Sequence, residues 1–308
     1  MTLTADTRVL VTGASGRLGW RLALALAPKA RCLRTGFRNA PPDSGEWTRV
    51  DLLRPTETQH LLAKNRPDIV IHCAALTDVD LCETDPASAF RLNVEATRNL
   101  TDWIVDQAPM TLFAYVSTDQ LYDGTGPHAE TEAAPVNIYG MTKYWGEDLA
   151  RRVPQSLVLR TNFFGLSGPE RPSFADWLVG GLVDRRPLAL FDDVLFNPLH
   201  VDDLCETIIA LIEARARGTY NVGATGPGLS KAEFGMRVAK ALSLDNSKIE
   251  LTSLSTAKLV ARRPNDMRMS VAVAERTLSR QMPTVDQGIE RLRSEYHTAP
   301  ASRAREAS

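Results

Sequence analysis

A β-branched, apolar run, R-V-L-V-T (8 to 12), passes straight into T-G-A-S-G-R-L-G and then into an amphipathic segment, R-L-G-W-R-L-A-L-A-L-A (17 to 27). The three parts read as a strand, a tight turn and a helix. Gly13, Gly16 and Gly19 stand at G-x-x-G-x-x-G spacing within the turn. Small residues there let the backbone come close to a pyrophosphate, whose charge is favoured by the free amides at the helix N-terminus. A tight turn alone also selects glycine. The strand before the triplet, the helix after it and its place in the first βα unit supply the context for dinucleotide binding. Ser15, Arg17 and Leu18 belong to the same loop and are candidate cofactor contacts.

The strand-then-helix pattern repeats. Apolar runs at 30 to 35, 68 to 73, 111 to 117 and 156 to 160 follow the first strand, and amphipathic segments such as 87 to 105 lie between them. Strands apolar on both faces and separated by helices predict a doubly wound α/β fold around a parallel sheet. Beyond about residue 165 the alternation loosens. Helices are expected near 174 to 185, 201 to 214 and 230 to 242, with a strand at G-T-Y-N-V-G. This predicts a dinucleotide-binding domain over 1–165 and a smaller C-terminal substrate-binding lobe over 166–296, interleaved with the first domain. Residues 297–308 have almost no large apolar side chains and read as a disordered tail.

The 308 residues carry a net charge of -1, and their basic residues are dispersed. Nucleic acid and anionic membranes are therefore not expected as partners. No apolar run approaches the ~18 residues of a membrane span, and no signal-peptide pattern opens the chain. Cys32, Cys73, Cys82 and Cys205 show no C-x-x-C pairing. A reducing, cytoplasmic setting without a zinc site is the expectation. His72, in an apolar strand, reads as packing and not as a metal ligand.

Two further stretches carry chemistry. After the second strand, R-C-L-R-T-G-F-R holds no acid to accept from an adenosine ribose. Arg34 or Arg38, helped by Arg17, would suit a 2'-phosphate, although solvated surface arginines remain an alternative. NADP(H) is thus expected to be preferred over NAD(H). The fifth strand ends in S-T-D-Q-L-Y-D-G, placing Ser117, Thr118 and Asp119 at the sheet edge where ligands of open α/β sheets bind. In Y-G-M-T-K-Y-W-G-E, Tyr139 and Lys143 share one helix face. A free phenol has a pKa of ~10, so a positive neighbour is expected to favour the phenolate. Thr118 would hold the substrate oxygen that exchanges a proton with Tyr139.

These motifs, together with V-D-L (50 to 52), H-C-A-A (72 to 75) and L-N-V-E-A-T-R-N-L (92 to 100), resemble the extended short-chain dehydrogenase/reductases over about residues 7 to 290. Within that Rossmann superfamily the chain is most similar to the dTDP-4-dehydrorhamnose reductase group and the related regulatory β subunit of methionine adenosyltransferase. The resemblance implies Thr118, Tyr139 and Lys143 as the catalytic triad, Asn93 as a supporting position, Asp51 and Leu52 at the adenine, and Cys73, Ala74 and Ala75 along the cofactor. The sugar site is implied around Thr118, Asp119, Asn162 and Phe163. Phe163 stands where the reductases carry tryptophan. Arg263 and Arg268, in R-R-P-N-D-M-R-M-S, are candidates for a nucleotide diphosphate or for surface salt bridges.

The function implied is NADPH-dependent reduction of a keto group on a nucleotide-activated 4-keto-6-deoxysugar, with a homodimer possible. Two other readings stay open: a cofactor-binding regulatory subunit without turnover, and a sugar-nucleotide epimerase or dehydratase holding NAD.

Overall fold

The structure is a computed structural model that describes residues 2–43, 45–166 and 173–298. Its central strands are β1 (Arg8–Thr12), β2 (Arg31–Gly36), β3 (Thr48–Arg49), β4 (Ile69–His72), β5 (Leu112–Val116) and β6 (Ser156–Thr161). A further strand, Gly218–Val222, completes a seven-stranded sheet in the order Gly218–Val222, β6, β5, β4, β1, β2, β3. All the pairings are parallel. Side chains alternate between the two faces of each strand. Val9 and Val11 enter one core, with Leu22 and Leu26 of the helix Arg17–Leu26, while Leu10 enters the other, with Leu61, Leu62, Leu100 and Ile104. Burial on both faces explains why these strands read as continuous apolar runs.

The chain adds β2 on one side of β1 and β4 on the other, with Thr12 level with His72. The strand order reverses at that point, and a crevice opens beyond the carboxyl ends of β1 and β4. The segment expected as one helix over 87 to 105 is a helical run with a defect: helix Pro86–Phe90, a π turn Arg91–Glu95, then helix Ala96–Gln107. A π turn inserts one residue into the helix, and here it carries Asn93.

The later chain does not stay apart from the sheet. Gly218–Val222 pairs with β6, and the helix Val201–Glu213 packs against Arg17–Leu26. Helices Phe174–Val183 and Lys231–Leu242 both start on capping boxes, at Ser173 with Asp176 and at Ser230 with Glu233. The helix Val285–Thr298 has no counterpart among the sequence expectations. It takes in residues 297 and 298, expected from the sequence to open a disordered tail; the rest of that expectation, 299–308, lies outside the described residues. The apolar side of this last helix, Val285, Ile289 and Leu292, is buried, and that burial holds its polar C-terminal turns in register. Among the described residues, no helix is long and apolar enough to cross a membrane.

Candidate active site

The glycine loop forms the floor of the crevice. Gly13 has φ +66°, a left-handed conformation, and a Cβ there would come within 2.7 Å of the Ala74 nitrogen. A Cβ on Gly19 would lie 2.4 Å from the Gly13 carbonyl oxygen. The loop is therefore folded tightly enough that only hydrogen fits at both positions. Gly16 caps the helix Arg17–Leu26 without a side-chain hydrogen bond, which leaves its first amides for an anion.

A cavity of about 1150 Å³ lies above this loop. It brings together Gly13, Ser15, Gly16, Arg17, Leu18, Gly19, Arg38, Cys73, Ala75, Thr118, Asp119, Tyr139, Lys143, Asn162 and Phe163. A second cavity of about 520 Å³ shares Gly13, Ser15, Gly16, Arg38, Cys73 and Ala75 with the first and extends past Ala74, Asp51 and Leu52. The shared walls make one elongated cleft, with the adenine candidates at one end and the triad at the other. Its residues fit a dinucleotide on two counts. One is the glycine cradle. The other is the Arg17 guanidinium, part-buried over the Phe163 ring at 5.8 Å, whose Nε is buried with no partner. Burial lowers the Arg17 pKa, with Asp176 and Glu295 opposing, so the cation is short of a close anion.

At the triad end, β5 and the helix Ile138–Arg151 set the geometry. Asn137 caps that helix through Gly140 N–H at 2.8 Å, and its amide also donates to the Arg262 carbonyl at 2.9 Å. Tyr139 and Lys143 then project from the first two turns, both buried. Lys143 Nζ donates to the Val116 carbonyl at 2.7 Å and sits 4.2 Å above the Tyr115 ring. Burial brings its pKa down to about 8, with Glu147 and Cys73 opposing. Thr118 Oγ1 accepts from Gln120 N–H at 3.2 Å, and its hydroxyl is hydrogen-bonded to Tyr139.

Lys143, expected to favour the phenolate, is not among the groups that shift the Tyr139 pKa. Burial dominates and pushes the phenol well above its ordinary value. The Thr118 hydrogen bond opposes this, and the Asp119 and Cys82 charges reinforce it. Tyr139 therefore rests as the protonated acid. Burial also raises Asp119 to about 6, against hydrogen bonds from Asn162 and Thr118 and the charge of Lys231.

Beneath the triad lies a buried ion pair that the sequence did not reveal. Glu147 accepts from Ser117 Oγ at 2.6 Å, from Arg160 Nε and Nη2 at 2.9 and 2.7 Å, and from Arg151 Nη2 at 2.6 Å. Arg160 also reaches Tyr122 Oη, which in turn donates to Asn221 on the seventh strand. The i+4 spacing of Lys143 and Glu147 was the available signal.

Several expected contacts fall elsewhere. Asn93 does not line the cleft: its amide clamps Leu76 N–H and C=O at 2.8 and 3.1 Å and reaches Thr142 Oγ1 at 3.0 Å, so it positions the backbone beside Ala75. Arg263 is bound to Asp80 at 3.0 Å and Arg268 to Asp266 at 2.7 Å; neither lines the cleft. Nearby carboxylates capture both guanidiniums. Arg34 is likewise held by Asp43 at 2.7 Å, leaving Arg38 as the cleft-lining arginine beyond β2. His72 bonds Thr12 Oγ1 at 2.7 Å and Thr97 Oγ1 at 3.1 Å, and burial lowers its pKa to about 3, so both ring nitrogens serve packing. The one grouping of three metal-ligand types among the described residues, His200, Asp202 and Glu295, is bridged by the Arg21 guanidinium, which supplies the positive charge.

The family model described as the RmlD substrate binding domain matches residues 7–298. The chain is 29% identical to the protein named "Probable low-salt glycan biosynthesis reductase Agl14" of Haloferax volcanii, over 93% of this chain and 97% of that one. It is also 29% identical to "Methionine adenosyltransferase 2 subunit beta" of Pongo abelii, over 88% and 82%. Among solved structures, dTDP-4-dehydrorhamnose reductase from Bacillus anthracis in complex with NADP superposes with a TM-score of 0.82 at 27% identity, covering 94% of this chain and 99% of that one. Cleft, triad and full-length match converge, and the chain belongs to the RmlD substrate binding domain family.

Proposed function

We propose that this protein is an NADPH-dependent reductase of a keto group on a nucleotide-activated sugar, a dTDP-linked 4-keto-6-deoxysugar being the favoured class. The observation that carries this reading is the meeting of Thr118, Tyr139 and Lys143 at one end of a cleft whose other walls are the glycine loop, Arg17 and Arg38. NADPH, when bound, supplies the hydride. The Thr118 hydroxyl holds the substrate carbonyl oxygen, and Tyr139, resting protonated, gives that oxygen its proton as the carbonyl becomes an alcohol. Lys143, with one N–H committed to Val116, offers its remaining donors to ribose hydroxyls, and its charge stabilises the phenolate left behind. Asp119 and Asn162 present an acceptor and an amide to the sugar beside the reacting carbon, and Phe163 gives it an apolar wall.

NADPH oxidation followed with a panel of nucleotide 4-keto sugars tests the reading. Turnover with at least one is expected, and Tyr139→Phe lowers kcat about 10²–10⁴-fold with NADPH affinity retained. No turnover with any member overturns it. The 29% identity to the methionine adenosyltransferase subunit favours a second reading, a cofactor-binding subunit acting on a partner enzyme. Stoichiometric co-purification with an enzyme, without turnover of its own, would mark that role. A cytoplasmic location belongs to the main reading and is supported by four free thiols. A homodimer is also part of it and is tested by sedimentation.

A further inference from the structure

The chain leaves β2 at Gly36, and the stretch that follows, Asn39, Ala40, Pro41 and Pro42, lines the large cavity beside the glycine loop. Arg38 lines both cavities, on the wall they share. A Cβ on Gly36 would meet the Asn39 carbonyl oxygen at 3.3 Å and Ser15 Oγ at 3.4 Å, so this stretch folds back against the glycine loop. Pro41 and Pro42 have no N–H, and backbone donation cannot hold them in place. A side chain just beyond them does so instead.

The Asp43 carboxylate accepts from Arg34 Nη1 at 2.7 and 2.9 Å, from Gly45 N–H at 3.1 Å and from Trp20 Nε1 at 3.3 Å. Arg34 in turn donates through Nε to the Glu46 carbonyl at 2.9 Å, and a Cβ on Gly45 would collide with its guanidinium, so the returning chain is packed on that arginine. One carboxylate thus joins β2, through Arg34, to the helix Arg17–Leu26, through Trp20. The Arg34 side chain is only 12% exposed, which shields these charge-assisted bonds from water. Neither Arg34 nor Asp43 lines a cavity, whereas Trp20 and residues 38–42 do.

We propose that Asp43 is a positioning residue for cofactor selection: by tying the loop to Arg34 and Trp20, it holds Arg38 at the 2'-phosphate of NADPH without touching the cofactor itself. This rests on the NADPH-dependent reading for the identity of the ligand, but the tie does not. Charge and positioning predict opposite signs for the loss of Asp43. Removing an anion near a phosphate would by Coulomb attraction alone tighten NADPH, whereas releasing the loop loosens it. NADH carries no 2'-phosphate and is little affected by either.

The test measures NADPH and NADH affinity by calorimetry for wild type, Asp43→Asn, Arg34→Gln, Arg38→Ala and the double variant Asp43→Asn with Arg38→Ala. Asp43→Asn weakens NADPH about tenfold and NADH by less than about twofold. Arg34→Gln breaks the same tie from its other side and gives the same split, so the measurement stands should Asp43→Asn fail to fold. In the Arg38→Ala background, Asp43→Asn costs nothing further, because the arginine it positions is gone. The Trp20 indole N–H resonance, assigned with Trp20→Phe and read without cofactor, reports the tie and moves in both tie variants. A merely structural aspartate would weaken both cofactors alike and add its loss to that of Arg38→Ala. Either of those results overturns the proposal, as does NADPH affinity unchanged or raised in Asp43→Asn, an indole resonance unmoved there, or a wild type that binds both cofactors equally. A wild type that prefers NADPH but turns over no keto sugar overturns the reductase reading alone, because both readouts are made without sugar.

Discussion

Replacing Glu147 with glutamine removes one charge from beneath the triad and changes little else in shape. Glu147 is fully buried, and its two oxygens take four hydrogen bonds: one from Ser117, two from Arg160 and one from Arg151. Arg160 is itself buried. Glutamine keeps one oxygen, but its NH2 must then face guanidinium N–H groups, donor against donor. Breaking a buried pair from one side costs about 3–5 kcal/mol, since the remaining charge is left without compensation. With a urea m-value of about 3 kcal/mol/M, fitting for a chain of this size, the midpoint of unfolding falls by about 1–1.7 M. Arg151 touches the same carboxylate from the surface, with its side chain 35% exposed. Arg151→Ala should therefore cost no more than about 1 kcal/mol, a shift of about 0.3 M. Urea unfolding followed by tryptophan fluorescence measures all three proteins. A Glu147→Gln midpoint within about 0.3 M of wild type would refute the view that this pair is held in a low-dielectric interior, as would an Arg151→Ala loss of equal size. Because Glu147 also acts on Lys143, the variant should lose its lysine charge at lower pH as well.

Gly19→Ala drives a methyl group into the Gly13 carbonyl, 2.4 Å away, and backbone there has no room to give. An overpacking cost of about 1–3 kcal/mol should appear as NADPH binding weakened about tenfold, and titration showing unchanged affinity would disprove the close approach. The Lys143 ammonium is charged below its pKa of about 8 and neutral above it. NADPH affinity should accordingly fall as pH rises through that value, and Lys143→Arg should remove the dependence; a flat profile in wild type would contradict the role. Arg38→Ala should weaken NADPH about ten- to a hundredfold while leaving NADH nearly unchanged, as expected for a charge-assisted bond to a 2'-phosphate. Equal losses for both cofactors would assign that arginine to the pyrophosphate or to structure.

Local periodicity carried the fold a long way. Val9, Leu10 and Val11, and likewise Ile69, Val70 and Ile71, are apolar at successive positions because both faces are covered, and that signal survives in one dimension. The glycine loop was equally legible, since only hydrogen fits at Gly13 and Gly19 and the sequence must say so. The spacing of Tyr139 and Lys143 fixed their shared face, because a helix turn is a local object.

Charge partners were a different matter, since whether an arginine meets a ligand or a carboxylate depends on chain segments far apart in sequence. Arg263 is captured by Asp80, Arg268 by Asp266 in a turn braced against Gly126, and Arg34 by Asp43, so three candidate anion contacts are spent within the fold. Asn93, implied as a supporting position, is a backbone clamp: it stands in a π turn and its amide meets Leu76. The Tyr139 pKa moved opposite to expectation because the buried surroundings, not the lysine one turn away, set the balance.

The sequence by itself determined the parallel sheet, the glycine cradle and the Thr118, Tyr139 and Lys143 set, each of which is written in short-range pattern. Only the tertiary structure decided which charges face the cleft and which are neutralised beside it. Asp80 captures Arg263 from more than a hundred residues away, and electrostatics follows distance in space, not along the chain.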